Sequence, residues 1–600
     1  MPTSPSVKFV VKNDNVAVYT PLMGVSTVLA RTKKGPFNDS STLITNLTQF
    51  RDIYGEEIVP DGSVSNIEKA LSLGSKLRII RVPGSGYYRG LVYTKGSEES
   101  TPAHIDVNTE VRPIMEISGQ YQREGFSKSF NYTLGFRVKL YSELVTSPIY
   151  TVKWTRASGL NTLYCTILDD KEEGFYSIPV ITIKQPSSNA GNVIDYNAFS
   201  NFLINNSYFE PVVLSGGSLD SLLSDLGFMD GNGEIITFTL YNTENESSQP
   251  FGDSTSNYTS ENLLYQGYNG TTPGKEDWIA SLQNIKNDTE SYQVILSHLS
   301  QVYHGELPTE GHLKWSDALL VYTEAANIVK ELEEFVLYVE IPKFKAVEGM
   351  VVPMTKSDIV EVSEALIGTL GNSKYVAYFG GGIKYYNSLG VLTSSDVLGT
   401  VAGLGDASAN DYGPWRSFAG LNRGVIYDGR GPVSINYGTP ARYDDLNELA
   451  EHYVNMIVVK NTYGSGNQTV LWHCFTTQVK PDSFKFLSVI RLVLYLKKTL
   501  RPILDKYIEE PNIWNTWSDI YYEVKPILDS LITQRAMSEY EWMGDQFATS
   551  YKDLQINNEA DVRQGKYKVV LKFKEVVPMQ DITVVLYIDK VNNNISVEAE

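Results

Sequence analysis

Asp411-Tyr412-Gly413-Pro414-Trp415-Arg416-Ser417-Phe418-Ala419-Gly420-Leu421-Asn422-Arg423-Gly424 is the stretch on which the reading of this 600-residue chain turns. Gly413-Pro414 forces a non-helical turn, because proline fixes its own φ and restricts the residue before it. Asn422-Arg423-Gly424 is a second turn signal, and Ala419-Gly420 is a small-residue step between them. Trp415 carries more apolar area than a loop leaves in water, so it is expected to dock on a core. The stretch reads as an anchored loop joining two halves of a domain.

Working outward, the segment before it alternates helical and strand patterns. Helices are predicted over 277–285, 316–330, 357–370 and 394–404, and strands over 292–296, 335–341 and 375–379. After it come a short helix at 443–453, strands at 456–460 and 469–475, and two long helices at 484–498 and 515–533, with Pro526 as an expected kink. Residues 24–82 form another α/β unit, closed by the strand Leu77-Arg78-Ile79-Ile80-Arg81-Val82. Between them the pattern changes to strict alternation at Phe130, Tyr132, Leu134, Phe136, Val138 and Leu140. That is half-buried strand, and the region reads as a sandwich- or barrel-like β module. Both ends of the chain alternate too, at Val7, Phe9, Val11 and at Val584, Leu586, Ile588. An isolated strand cannot satisfy its own backbone, so each is expected to add to a sheet. The fold class is therefore mixed α+β and multidomain. The expected division is an N-terminal arm (1–20), the first part of an α/β core (21–95), an inserted β-rich outer module (96–265), an α/β core region (266–410), a C-terminal domain (411–580) and a C-terminal arm (581–600).

The chain has 51 Lys and Arg against 70 Asp and Glu, a net charge of −19. Residues 96–260 hold nine basic and twenty acidic side chains, so the acidity concentrates in the middle module. That balance argues against nucleic acid as the main ligand. The richest apolar run, 488–496, is short and interrupted by Arg491, so no bilayer span is expected. Two cysteines and no basic-then-apolar leader point to folding in a reducing cytoplasm.

Chemistry is sparse. Gly380-Gly381-Gly382 follows a strand but lacks the rest of a phosphate-binding pattern. His473 beside Cys474 is better explained by core packing than by a nucleophile or metal role. No nucleophile, base and orienting group assemble, so neither an enzyme nor a cofactor is expected. One helix stands out for its charge, with Lys485, Arg491, Lys498 and Arg501 as a basic stripe in an acidic protein. The stripe reads either as a solvated face or as a binding face.

The order of these parts resembles the contractile, myovirus-type phage tail sheath family. Gly413-Pro414-Trp415-Arg416, Phe418-Ala419-Gly420 and Asn422-Arg423-Gly424 are similar to its Trp-x-x-x-Ala-Gly-x-x-Arg-Gly turn. The early Gly35-Pro36-Phe37-Asn38 and 77–82 are similar to its N-terminal unit, and 489–495 to one of its helices. Leu471-Trp472-His473-Cys474-Phe475-Thr476-Thr477 departs from the strand that precedes that helix, carrying Cys and Phe where Ala and Arg are usual. Asn557-Asn558, Gly565 and the last alternating strand resemble the family's C-terminal end. The resemblance covers roughly 20–90 and 270–595. It implies a sheath core built from N- and C-terminal parts, with a variable outer insertion. It implies a non-enzymatic subunit that polymerises as a helical homo-oligomer of stacked hexameric rings around an inner tail tube. Contraction then drives that tube through a cell envelope during genome delivery. Implied partners are other copies of the chain, the tube protein, and baseplate and tail terminator proteins, with no direct nucleic acid and no membrane insertion. The implied location is the virion tail, with assembly in the host cytoplasm. On this reading the arm residues exchange strands between subunits and the basic stripe faces the tube. Pro414, Trp415, Arg416, Gly420, Arg423 and Gly424 form the core junction, with Arg416 and Arg423 as candidate subunit contacts. A bacterial contractile injection system sheath is the near alternative. A surface carbohydrate-binding protein or a cytoplasmic hydrolase would belong to other classes.

Overall fold

The computed structural model describes residues 22–33, 35–36, 42–55, 64–85, 91–93, 111, 113–123, 126–138, 149–156, 162–168, 174–184, 193–194, 196–206, 208–227, 235–241, 248–250, 258–265, 272–300, 302–303, 312–348, 350–386, 392–427, 441–462, 464, 466–480, 482–579, 585–588 and 595–598. Val7, Phe9, Val11 and Val584 lie outside them.

Runs of consecutive apolar residues make strands that must be covered on both faces. Val25–Ala30, Val336–Glu340 and Val376–Gly380 are buried at every position, the first with Ser26 and Thr27 and the second with Glu340 among its apolar residues. They belong to an eight-stranded sheet ordered Leu43–Ile44, Lys76–Arg81, Val25–Ala30, Gln293–Leu296, Val336–Glu340, Val376–Gly380, Val454–Thr462, Gly466–Leu471. The six inner strands are parallel and the two outermost pair antiparallel. The expected strands and helices of this region are present with shifted ends. The helix before the junction runs over Val397–Tyr412, into the opening stretch itself. Lys356–Leu370 starts where Thr355 and Asp358 cap each other reciprocally.

Sequence-distant parts meet at glycine. A Cβ on Gly399 would lie 2.1 Å from the Asn66 carbonyl oxygen, and one on Gly403 would lie 2.7 Å from Leu73 Cβ. Val397–Tyr412 therefore crosses Ser65–Ser72 closely enough that neither position tolerates a side chain. The Gly380-Gly381 step has the same cause: a Cβ on Gly380 would meet Met456 sulfur at 2.3 Å.

The inserted region forms an eleven-stranded antiparallel sheet between Leu91 and Tyr265 with its own core around Phe136, Trp154, Cys165 and Phe202. Phe130, Tyr132, Leu134, Phe136 and Val138 are all buried, as alternation predicts. Two helices, Tyr196–Asn205 and Leu219–Gly227, add Phe199, Phe202, Leu203, Leu222 and Leu226 to this core. The sequence reading saw strands alone here, because the two helices are short, ten and nine residues, and lie among strand patterns. The strands that enter and leave the insert, Leu91–Tyr93 and Tyr258–Tyr265, pair with each other. An insertion of this length therefore leaves the core sheet with its two ends already close together.

Candidate functional site

The junction is built from the end of a helix. Gly413 ends Val397–Tyr412 at φ 93°, a backbone region that favours glycine. A Cβ there would strike the Trp415 ring at 2.3 Å. Trp415 is buried and meets Tyr495 edge to face at 5.3 Å. From there the chain runs along the free edge of Gly466–Leu471. Gly420 N–H donates to the Leu471 carbonyl (2.8 Å), Leu471 N–H to Gly424 (2.8 Å), and Ile426 N–H to Thr469 (2.9 Å). Gly424 must be glycine, since a Cβ would lie 2.5 Å from the Leu471 carbonyl oxygen. The motif thus covers an exposed sheet edge, a device that blocks unwanted strand pairing there. Val425 makes a single antiparallel bridge to Val470. Pro414 is buried in the turn. Arg423 Nε donates to the Ser417 carbonyl at 2.5 Å and its guanidinium stands over the Tyr412 ring. Arg416 donates to the Gln534 carbonyl at 3.1 Å, tying the motif to the end of Trp514–Thr533.

The basic stripe needs correction. Leu487–Asp505 is enclosed on nearly every side, and Arg491 is 0% exposed. Arg491 donates to the Gly405 carbonyl (3.1 Å), approaches Asp406 at 3.7 Å and lies over the Phe418 ring. Asp406 also accepts from Ser26 (2.5 Å), Ser75 (2.7 Å) and Gln293 (2.7 Å), so one carboxylate gathers four segments of the core. Burial pushes its carboxyl upward, against Arg491 and these donors. Lys498 is buried too, donating to the Thr289 carbonyl at 2.7 Å, with Glu334 at 3.9 Å. Burial pulls its ammonium down to about 8, against Glu334. The i, i+7 spacing correctly placed Arg491 and Lys498 on one face. That face turns inward because buried carboxylates wait for it. Lys485 and Arg501 remain exposed, and Arg501 pairs with Glu334 at 2.6 Å.

A second feature escaped the sequence reading. Met537–Met543 pairs with Val570–Glu575 as a two-stranded ribbon. One face carries Tyr540, Trp542, Leu571 and Phe573 toward the core, and the other holds the cross-strand pairs Glu539–Lys574 and Glu541–Lys572. Asp545 anchors the ribbon by accepting the N–H groups of Gln555 (2.8 Å), Ile556 (3.1 Å) and Asn557 (2.7 Å). The Asn557 side-chain amide in turn brackets the Lys568 backbone, accepting its N–H at 2.7 Å and donating to its C=O at 3.1 Å. Burial opposes the Asp545 charge, yet these donors hold its carboxyl below the usual range. Leu586 and Ile588 lie in Val585–Ile588, which pairs with Ile595–Glu598 of the same chain.

Among the described residues no group of three or more His, Cys, Asp or Glu could hold a metal, and no helix is long and apolar enough to cross a membrane. His473 is stacked on Phe475 at 5.0 Å, and burial lowers its imidazole to about 4. Cys474 is buried and its thiol is pushed well up by desolvation.

No protein-family model matches this chain, nor does any curated protein. Solved structures are similar to it. The sheath tail protein of Listeria innocua is 9% identical, with 93% of this chain and 96% of that one covered at a TM-score of 0.46. The sheath tail protein of Desulfitobacterium hafniense is 10% identical, with 95% and 100% covered at 0.41. The helical sheath of the anti-feeding prophage in its contracted state is 16% identical, with 55% and 78% covered at 0.39. Each of these three is a sheath component.

Proposed function

We propose that this chain is the structural subunit of a contractile tail sheath. It polymerises as a helical tube of stacked hexameric rings around an inner tail tube, and it contracts to drive that tube through a cell envelope. The observation that carries the reading is the ribbon of Met537–Met543 and Val570–Glu575. Among the described residues neither outer edge of the ribbon bonds to a further strand. An open edge invites strand addition, and the chain has strand-patterned segments at both ends to supply it. The arm residues Val7, Phe9, Val11, Leu586 and Ile588 are the proposed donors, exchanged between subunits. The motifs that resemble the sheath family agree in order, from 35–38 through 411–424 to 557–565.

The insert, residues 96–265, belongs on the outside of the tube on this reading, where its acidity faces solvent. Contact with the inner tube falls to Lys485 and Arg501, since Arg491 and Lys498 are spent inside the core. Baseplate and terminator proteins are the expected partners at the two ends of the polymer. The chemistry is conformational, with no catalytic residue, metal or cofactor assigned.

Negative-stain microscopy of the purified full-length chain tests the proposal, with helical tubules as the expected result and discrete particles as the contrary one. Removing residues 1–18 is expected to abolish tubules and leave a folded monomer. Tubules that persist without those residues would overturn the strand-exchange part.

A further inference from the structure

At the carboxyl ends of the central parallel strands Gln293–Leu296 and Val336–Glu340 lies a closed polar cluster that the sheath reading does not use. Lys343 and Asp396 are its centre. Lys343 Nζ lies 2.6 Å from Asp396 Oδ1, with the two side chains 1% and 0% exposed. Asp396 precedes Val397–Tyr412 but does not cap it. That duty is taken by others: Glu340 Oε1 accepts the Val397 N–H at 3.1 Å, and Asn66 Oδ1 accepts the Gly399 N–H at 2.7 Å. The Asp396 carboxyl is thereby left to face Lys343. Its second oxygen, Oδ2, has His298 Nδ1 at 2.9 Å and the Asn66 amide at 3.3 Å. Glu340 is 4% exposed, and its carboxyl sits on the amide directly following Asp396.

We propose that Lys343 and Asp396 condense into an intramolecular isopeptide bond, with Glu340 as the proton carrier. The proton of the Lys343 ammonium passes to the Asp396 carboxylate, giving a free amine and a neutral acid. Nζ then attacks Cγ, forming the C–N bond and a tetrahedral centre. The developing charge falls on Oδ2, where His298 and Asn66 already stand as donors. Oδ1 leaves as water, taking one proton from Nζ through Glu340. The sum is ammonium plus carboxylate to amide plus water, and no oxidant or co-reactant enters.

Three features of the site favour this course. The fold holds the Lys343 amine against the Asp396 carboxyl, 2.6 Å from Oδ1, which removes the entropic barrier of bringing the two groups together. Burial opposes the Asp396 charge, yet Lys343 and His298 hold its carboxyl far below the usual range, so the proton transfer is the uphill step, and loss of water from the closed site draws it forward. Glu340 is suited to carry a proton because desolvation, with Asp396 beside it, holds its carboxyl well above the ordinary range. The resulting bond would join the segment after Val336–Glu340 to the start of the central helix, bracing the core covalently.

Intact-mass spectrometry of the full-length chain, folded at neutral pH and unfolded only for measurement, decides the matter. The expected mass is lower than the sequence mass by one water, and digestion yields a branched peptide joining Lys343 to Asp396. A folded chain at full sequence mass overturns the proposal. So does a lost water that maps to an Asp-Gly step, 61–62, 230–231 or 428–429, where a succinimide forms by a different route. Lys343→Arg keeps the charge but is expected to restore the full mass. A water still missing in that variant is equally fatal. Glu340→Gln keeps an acceptor for the Val397 N–H and is expected to leave the pair unjoined. Undiminished joining there removes Glu340 from the scheme. The wild-type measurement needs no variant to fold, so it stands alone. It is also independent of whether tubules form.

Discussion

The eight-stranded core sheet and the eleven-stranded inserted sheet solve the same problem in opposite ways. Core strands are buried on both faces, as in Val25–Ala30, and they come from segments hundreds of residues apart. Their polar cross-links span the same distances: Ser26 and Ser75 to Asp406, Thr27 to Asp288, Arg491 to Asp406. The inserted sheet buries alternate residues, as in Thr162–Leu168, and completes its core within residues 114–240. A parallel sheet needs long crossovers and covered faces, whereas an antiparallel one closes through neighbours. The core thus draws on contacts across the whole chain, and the insert on contacts within itself.

The comparison can be broken most forcefully at Arg491. Arg491→Ala strips a buried partner from Asp406 and is expected to destabilise the core by about 3–5 kcal/mol. In a thermal melt the insert's transition should stay where it was. A joint shift of both would show the two sheets to be coupled. Trp154→Ala is the mirror experiment, with a loss of about 3–5 kcal/mol confined to the insert. Hydrogen exchange of 25–30 and 336–340 should be unaltered in that variant. Gly413→Ala forces a Cβ into the Trp415 ring at a positive φ, and about 1–3 kcal/mol should be lost from the core alone. Chemical denaturation followed by circular dichroism would measure it.

Asp545 sharpens the contrast within the core's own C-terminal part. Its carboxyl is held below its ordinary value of about 4, so its stabilisation is complete above that pH and disappears as pH falls through the folded value. Exchange protection of 537–543 should fall in acid before that of 336–340, and Asp545→Asn should flatten the dependence. The smallest effect is expected from Arg501→Glu. It breaks a pair in which Arg501 is exposed and Glu334 half-buried, and should change monomer stability by less than about 1 kcal/mol, in a salt-dependent way. A larger loss would mean that Arg501 supports the core as Lys498 does.

Much of this was legible in the residues. Apolar-rich runs, helix caps and Gly-Pro turns are local signals, so the core strands and the helices around them were found with shifted ends. Trp415 was read as an anchor, and Tyr495 is what it anchors on. The ribbon strand Met537–Met543 went unseen because Met-Ser-Glu-Tyr-Glu-Trp-Met looks like polar helix or strand equally until Val570–Glu575 pairs with it. The insert's helices were missed for a similar reason: their apolar residues gain meaning only against Phe136 and Trp154.

The sequence alone carried the α/β patterning of the core and the strand alternation at 130–138, because period and turn chemistry are properties of neighbours along the chain. Only the tertiary structure decided where charge goes. Arg491 and Lys498 have the spacing of a solvent-facing stripe, yet both are buried, because Asp406, Glu334 and the Thr289 carbonyl lie where that face lands. The same holds for Gly399, an ordinary residue in a helix until Asn66 stands 2.1 Å from where its side chain would be. Burial and pairing depend on what folds against a residue, and no local pattern carries that information.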